Sequence, residues 1–161
     1  MRHILAVGGG KGGSGKSFLS GNLGILLAAR DKRTLLIDVD LGGANLHTMI
    51  GISYPRVSLS DFINKEVESL DDVVIETDVP NLFLISGAQN SLDVANLHYQ
   101  QKMRLLKAIP KLSFDYIILD LGAGTSFNTI DFFMISNYCL FVTTPEPTSI
   151  ENVYRLIRAI Y

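Results

Sequence analysis

Short apolar runs alternate along the chain with stretches whose apolar residues recur at helical spacing, and turn residues close most of them. Ile4 to Val7 reads as a buried strand stopped by Gly8-Gly9-Gly10. From Ser17 to Arg30, the recurrence of Leu19, Leu23, Leu26 and Leu27 predicts a helix with these residues on its apolar face, and Asp31-Lys32 makes the turn. Thr34 to Ile37 predicts a second buried strand ending at Asp38. Leu41 to Tyr54 is interrupted by glycine and reads as a loop carrying a short helix, and Ser58 is placed to cap a helix through Phe62 and Ile63. Asn81 to Ile85 predicts a strand, Leu92 to Ile109 a helix ended by Pro110, and Tyr116 to Leu119 a strand ending at Asp120. Tyr138 to Val142 predicts a further strand, closed by Thr143-Thr144-Pro145. Thr148 or Ser149 caps a last helix with Ile150, Val153, Leu156, Ile157 and Ile160 on one face. This alternation predicts an α/β fold with a mainly parallel sheet.

The composition sharpens that expectation. Hydrophobic residues make up 47% of the 161 residues and charged ones 19%, which excludes a disordered or highly charged chain and suits a parallel sheet covered by helices on both faces. The length fits one domain over residues 1–161, and a helical pattern that reaches Tyr161 without a C-cap reads as a domain cut short at its C-terminal end. A net charge of -2 gives no global bias toward nucleic acid. The single cysteine, Cys139, excludes an internal disulfide and a multi-cysteine metal site within the chain, and lies in an apolar strand as inert core. No apolar run approaches the ~18 residues of a membrane span, and the first one is shorter than the ~7–15 residues of a signal-peptide core. A cytoplasmic location is the expectation.

The candidate chemistry lies in Gly8 to Ser17, GGGKGGSGKS, between a strand and a helix, where backbone N–H groups and a helix N-terminus hold phosphate. Two motifs overlap there. Gly8-x-Gly10-x-x-Gly13 fits a dinucleotide fingerprint, with Asp38 ending the next strand. Gly10-x-x-x-x-Gly15-Lys16-Ser17 fits the P-loop of nucleoside triphosphate binders, and fits better. It uses Lys16 for the β/γ phosphates, the Ser17 hydroxyl for Mg²⁺ and the distant Asp120 for the metal site, none of which a dinucleotide site needs.

Lys11 is a second lysine in the loop. With it, Gly10-Lys11-Gly12-Gly13-Ser14-Gly15-Lys16-Ser17 resembles the GKGGxGK[ST] hallmark of the ParA/MinD family of deviant Walker A ATPases. Leu35 to His47, LLIDVDLGGANLH, is similar to the family's first switch, and Tyr116 to Gly124, YIILDLGAG, to its Walker B strand and second switch. Phe141 to Ile150, FVTTPEPTSI, resembles the next strand and loop of the MinD/FlhG-like branch. Gly122 stands where many members have proline.

The resemblance implies a P-loop NTPase fold and a Mg²⁺-dependent ATPase that closes as a homodimer around two ATP molecules, serving spatial positioning or regulation with a protein effector. It implies that the loop from Gly10 to Ser17 binds nucleotide, and that Ser17 binds Mg²⁺ directly while Asp38 and Asp120 do so through water. Asp40 would orient the attacking water, and Lys11 would cross the interface to the partner subunit's phosphates. Asn45 is read equally as a nucleotide or partner contact and as a local Asx turn. Membrane or nucleic-acid contact, including peripheral membrane attachment through a segment absent here, is left open. Two rival outputs are a non-hydrolysing nucleotide-dependent scaffold and an ATPase coupled to metal-centre maturation, the latter disfavoured by the single cysteine. His47 and His98 lack metal-ligand spacing, and Asp71-Asp72 starts a helix or a turn.

Overall fold

The computed structural model describes residues 2–40, 43, 45–87, 98–123 and 127–161, with 127 and 128 described by backbone alone. Six described strands form one sheet in the order β3-β4-β2-β5-β1-β6. They are β1 (His3–Gly9), β2 (Thr34–Asp38), β3 (Ile75–Glu76), β4 (Leu82–Ile85), β5 (Tyr116–Ala123) and β6 (Tyr138–Val142). All pairings are parallel except β3 with β4. β1 lies between β5 and β6, so the chain leaves it toward β2 on one side and later reaches β6 on the other. Ligands of open α/β sheets sit at such a switch point, beyond the carboxyl ends of the strands. The carboxyl ends of β1, β2, β5 and β6 all lie at that edge.

Alternation along the central strands divides the core. Leu35 and Ile37 of β2, Ile117 and Leu119 of β5, and Ile4 and Ala6 of β1 face one cluster, built with α3 (Leu59–Ile63), α4 (Tyr99–Ala108), α5 (Phe127–Met134) and α6 (Pro147–Ile160). Leu36, Ile118 and Val7 face the other, covered by α1 (Lys16–Ala28) and α2 (Leu46–Met49). The expected strands, the short helix within 41–54, the Ser58-capped helix and the last helix are all present, but the last helix starts at Pro147 with Glu146 as its N-cap, so Thr148 and Ser149 lie inside it rather than capping it. Asp31 takes a positive φ of 57° at the turn after α1. Residues 92–97 of the expected long helix lie outside the described residues, and α4 begins at Tyr99.

The expected apolar face of the first helix changes. The helix α1 buries Ser20, Gly21, Gly24 and Ala28, while Leu19 and Leu26 are 38% and 54% exposed. The sheet lies too near for larger residues: a Cβ on Gly24 would be 2.8 Å from Leu36 Cδ2 and 3.2 Å from Leu82 Cδ1. The small-residue face thus wins over the leucine face because close approach buries more of the sheet. The helix α5 and the two-residue edge strand β3 have no clear signal in the apolar pattern. Asp71-Asp72 lies in a 3-10 turn, Leu70–Val73, whose N-cap is Ser69. Cys139 is half-buried against the larger cluster, and burial pushes its thiol up.

Candidate functional site

The glycine loop is set by packing before any ligand is considered. A Cβ on Gly10 would collide with Asn152 and lie 2.9 Å from both Ser149 O and Val153 N, so the loop leaves β1 pressed against α6. Gly15 has φ 97°, a left-handed conformation that L side chains rarely adopt, and it turns the chain into α1. Gly12 and Gly13 lie exposed at the tip. Ser14 Oγ is buried with no hydrogen-bond partner among the described residues. The first N–H groups of α1 have no intrahelical partners, so loop and helix together present donors to an anion.

Lys16 opens α1 and is 8% exposed. Its Nζ donates to Lys11 O at 3.3 Å. One turn later, Ser20 Oγ donates to Asp120 Oδ1 at 2.9 Å, and the Ser17 hydroxyl also bonds this carboxylate. Asp120 is paired in register with Asp38 across β5 and β2, which sets the two carboxylates on neighbouring strand ends. Asp38 Oδ1 accepts from Asp40 N at 3.1 Å and Oδ2 from Leu46 N at 3.1 Å. The Asp38 carboxylate thus ties the end of β2 to Asp40 and to the start of α2.

Charge is concentrated here without full compensation. Burial pushes Asp38 up to about 7, against the two backbone N–H bonds, and Asp120 and Asp40 add to the rise. Burial also raises Asp120, although the Ser17 and Ser20 hydroxyls and the Lys16 ammonium oppose it. Two buried carboxylates beside two hydroxyls form an oxygen-rich set suited to a hard divalent cation that keeps several waters. On this observation Ser17, Asp38 and Asp120 fit Mg²⁺. Among the described residues no group of three His, Cys, Asp or Glu side chains converges as a metal cage.

Asp40 lies just outside this pair. A Cβ on Gly122 would be 3.2 Å from its Oδ1, and one on Gly43 3.4 Å from its Oδ2. The absence of a side chain at Gly122 lets the two switches meet. Asn45 is exposed, and its Nδ2 donates back to Gly43 O at 2.8 Å, a local contact that differs from an Asx turn, in which the side-chain oxygen would accept from a following N–H. His47 is half-buried and His98 exposed.

The structure thus gathers Lys16, Ser17, Asp38, Asp40 and Asp120 at one edge, with Lys11 at the loop's outer margin. Sequence reasoning missed Ser20, Glu146 and Asn152. Ser20 was legible as a hydroxyl one helical turn after Lys16 on a buried face. The others act only through contacts distant in sequence: Lys11 pairs with Glu146, and Asn152 Nδ2 donates to Gly10 O at 3.0 Å.

A family model described as AAA domain matches residues 2–161. The chain is 31% identical over 159 residues to antiactivator FleN of Pseudomonas aeruginosa, covering 98% of this chain and 56% of that protein. It is 33% identical over 159 residues to septum site-determining protein MinD of Synechocystis, covering 98% of this chain and 59% of the relative. It therefore spans less than three fifths of these curated relatives. Among solved structures, the cell division ATPase MinD of Pyrococcus furiosus superposes with a TM-score of 0.88 at 28% identity, over 99% of this chain and 67% of that one. MinD of Pyrococcus horikoshii complexed with Mg-ADP gives 0.84 at 25% identity, over 99% and 66%.

Proposed function

Because the chain belongs to the AAA-domain family, in its ParA/MinD branch of P-loop ATPases, we propose that residues 1–161 form a P-loop domain that binds Mg²⁺-ATP, hydrolyses it and switches between monomer and homodimer. The observation that carries this reading is the meeting of Lys16, Ser17, Asp38 and Asp120 where β1, β2 and β5 end. Phosphoryl transfer is catalysed mainly by positioning and by neutralising developing charge, and this site supplies groups for both.

Lys16 and the loop amides hold the phosphates, and the orphaned Ser14 hydroxyl adds a donor beside them. Ser17 would hold Mg²⁺ directly, with Asp38 and Asp120 holding its waters; the ion neutralises phosphate charge when bound. Asp40, outside the buried pair, orients the attacking water. Lys11 reaches the phosphates of a second subunit, which makes the dimer depend on ATP. Asn45 contributes through the turn it stabilises with Gly43. The output is spatial or regulatory and runs through a protein effector. Cytoplasmic location, with peripheral membrane attachment through a further segment, belongs to the same reading; no described helix is long and apolar enough to cross a membrane.

The test separates binding from turnover. Asp40→Ala is expected to bind ATP normally and to release phosphate on the order of a hundred- to ten-thousandfold more slowly, the range a group positioned for proton transfer contributes. Asp38→Ala is expected to weaken Mg²⁺-dependent binding itself. Calorimetry and single-turnover phosphate release on both variants check this. Wild-type hydrolysis by Asp40→Ala would remove the water-orienting role. Loss of binding by both variants alike would remove the division of labour. Lys11→Ala is expected to bind ATP but stay monomeric by light scattering with a slowly hydrolysed ATP analogue.

A further inference from the structure

Lys11 is exposed, yet its segment is held at three points. Its ammonium pairs with the carboxylate of Glu146, the N-cap residue of α6. Its carbonyl accepts from Lys16 Nζ at 3.3 Å. The preceding carbonyl, that of Gly10, accepts from Asn152 Nδ2 at 3.0 Å, two turns into the same helix α6. The close seat of Gly10 under Ser149, Asn152 and Val153 leaves the backbone little room to shift. Backbone and side chain of the Lys11 segment are thus both tied to α6. The hydrogen bond and charge of Lys11 hold the Glu146 carboxyl below its ordinary value.

We propose that Glu146 is a latch that keeps Lys11 on its own subunit and that must open before Lys11 can cross to a second one. This rests on the cross-subunit role of Lys11 proposed above. The latch is weak by construction: both side chains are about half exposed, at 48% and 49%, and pairs of this kind shift equilibria only severalfold. A weak pair suits a contact that must open each time the protein associates. Lys16 links it to nucleotide, because the ammonium that phosphates attract is the one bonded to the Lys11 carbonyl. Drawing it toward a phosphate removes one of the three restraints. Asn152 is a positioning residue that fixes the Gly10 carbonyl so that Lys11 emerges toward Glu146. Each dimer opens two latches, so the effect of one enters the association constant squared.

The experiment has two readouts on the full chain. In the first, the monomer without nucleotide is acetylated with a trace of an N-hydroxysuccinimide ester, and Lys11 modification is followed by peptide mass spectrometry. Pairing ties the amine to the Glu146 carboxylate and hinders its approach to the ester, so Glu146→Gln is expected to react about two- to fivefold faster. Glu151→Gln, which breaks the Glu151–Arg155 pair on the same helix, is expected to leave the rate unchanged. Equal rates for wild type and Glu146→Gln, or equal acceleration by both variants, overturns the latch. In the second, dimer formation is followed by light scattering against protein concentration, with Mg²⁺ and a slowly hydrolysed ATP analogue. Glu146→Gln is expected to dimerise at about four- to twenty-fivefold lower concentration, the square of the single-pair effect. An unchanged or higher midpoint overturns the latch while leaving the ATP-dependent dimer in place. A wild-type chain that stays monomeric overturns both, and that is how failure of the dimer reading is recognised.

Discussion

The two ends of the sheet handle charge in opposite ways. At the amino end, the Arg33 guanidinium lies 5.4 Å from the Phe83 ring centroid and 5.0 Å from that of Phe114, and donates to Ser113 O at 3.2 Å. Arg33 N donates to Asp115 Oδ2 at 2.9 Å, and His3 stacks on Tyr116 with centroids 5.0 Å apart. The Arg33 charge there meets two aromatic faces and a carbonyl, and the Asp115 carboxylate accepts a backbone N–H. At the carboxyl end, Asp38 and Asp120 are buried side by side, raised by burial, with Lys16 as the nearest cation acting on Asp120. The amino end closes the fold. The carboxyl end carries buried carboxylates whose charge a divalent cation would relieve, which is where function belongs when stability and chemistry compete.

The largest expected contrast comes from removing one cation at each end. Lys16→Ala is expected to lower nucleotide affinity by a hundredfold or more, on the order of the ~3–5 kcal/mol that follows loss of one member of a buried charged contact. Calorimetry checks it, and near-wild-type affinity would make the two ends equivalent. Next is the pH dependence of the metal-free protein. Asp38 rises from 3.8 to about 7, so between these values the folded chain binds the proton that the unfolded chain has lost. Its contribution is fully present below the lower value and is lost as pH rises to the upper one. The expected slope is a fall in stability of at most ~1.4 kcal/mol per pH unit, read from denaturant unfolding at pH 5, 6 and 7. Mg²⁺-nucleotide is expected to flatten that slope. If stability instead rises across this window, the carboxyl end is not the strained one. The smallest effect is at the amino end: Arg33→Ala is expected to lower stability by about 1 kcal/mol and to leave nucleotide affinity unchanged. A change in affinity would show that the ends are coupled.

The strands were legible because a parallel sheet buried on both faces needs continuous apolar runs, and Leu35-Leu36-Ile37 and Ile117-Ile118-Leu119 are fully buried. The loop and the carboxylates ending β2 and β5 were legible because phosphate and metal chemistry require particular residue types at short spacing. The helix α5 was not. Its FNTIDFFM run mixes polar and apolar residues, and Phe132 and Phe133 find their place only against the larger cluster. The buried face of α1 was misread because leucine spacing signals a face, whereas the sheet selected Gly21 and Gly24 for closeness.

The sequence by itself determined the strand–loop–helix unit around Lys16, the apolar strands and the chemical character of Asp38 and Asp120, all of which depend on residues close in the chain. Tertiary structure alone decided that Asp38 and Asp120 stand on adjacent strands, that Gly122 lets Asp40 approach the second switch, and that Lys11 faces Glu146. The physical reason is that local pattern encodes which face of an element is apolar, whereas strand order encodes which loops become neighbours. Strand order follows from how all the apolar faces are buried together, and no single segment carries it.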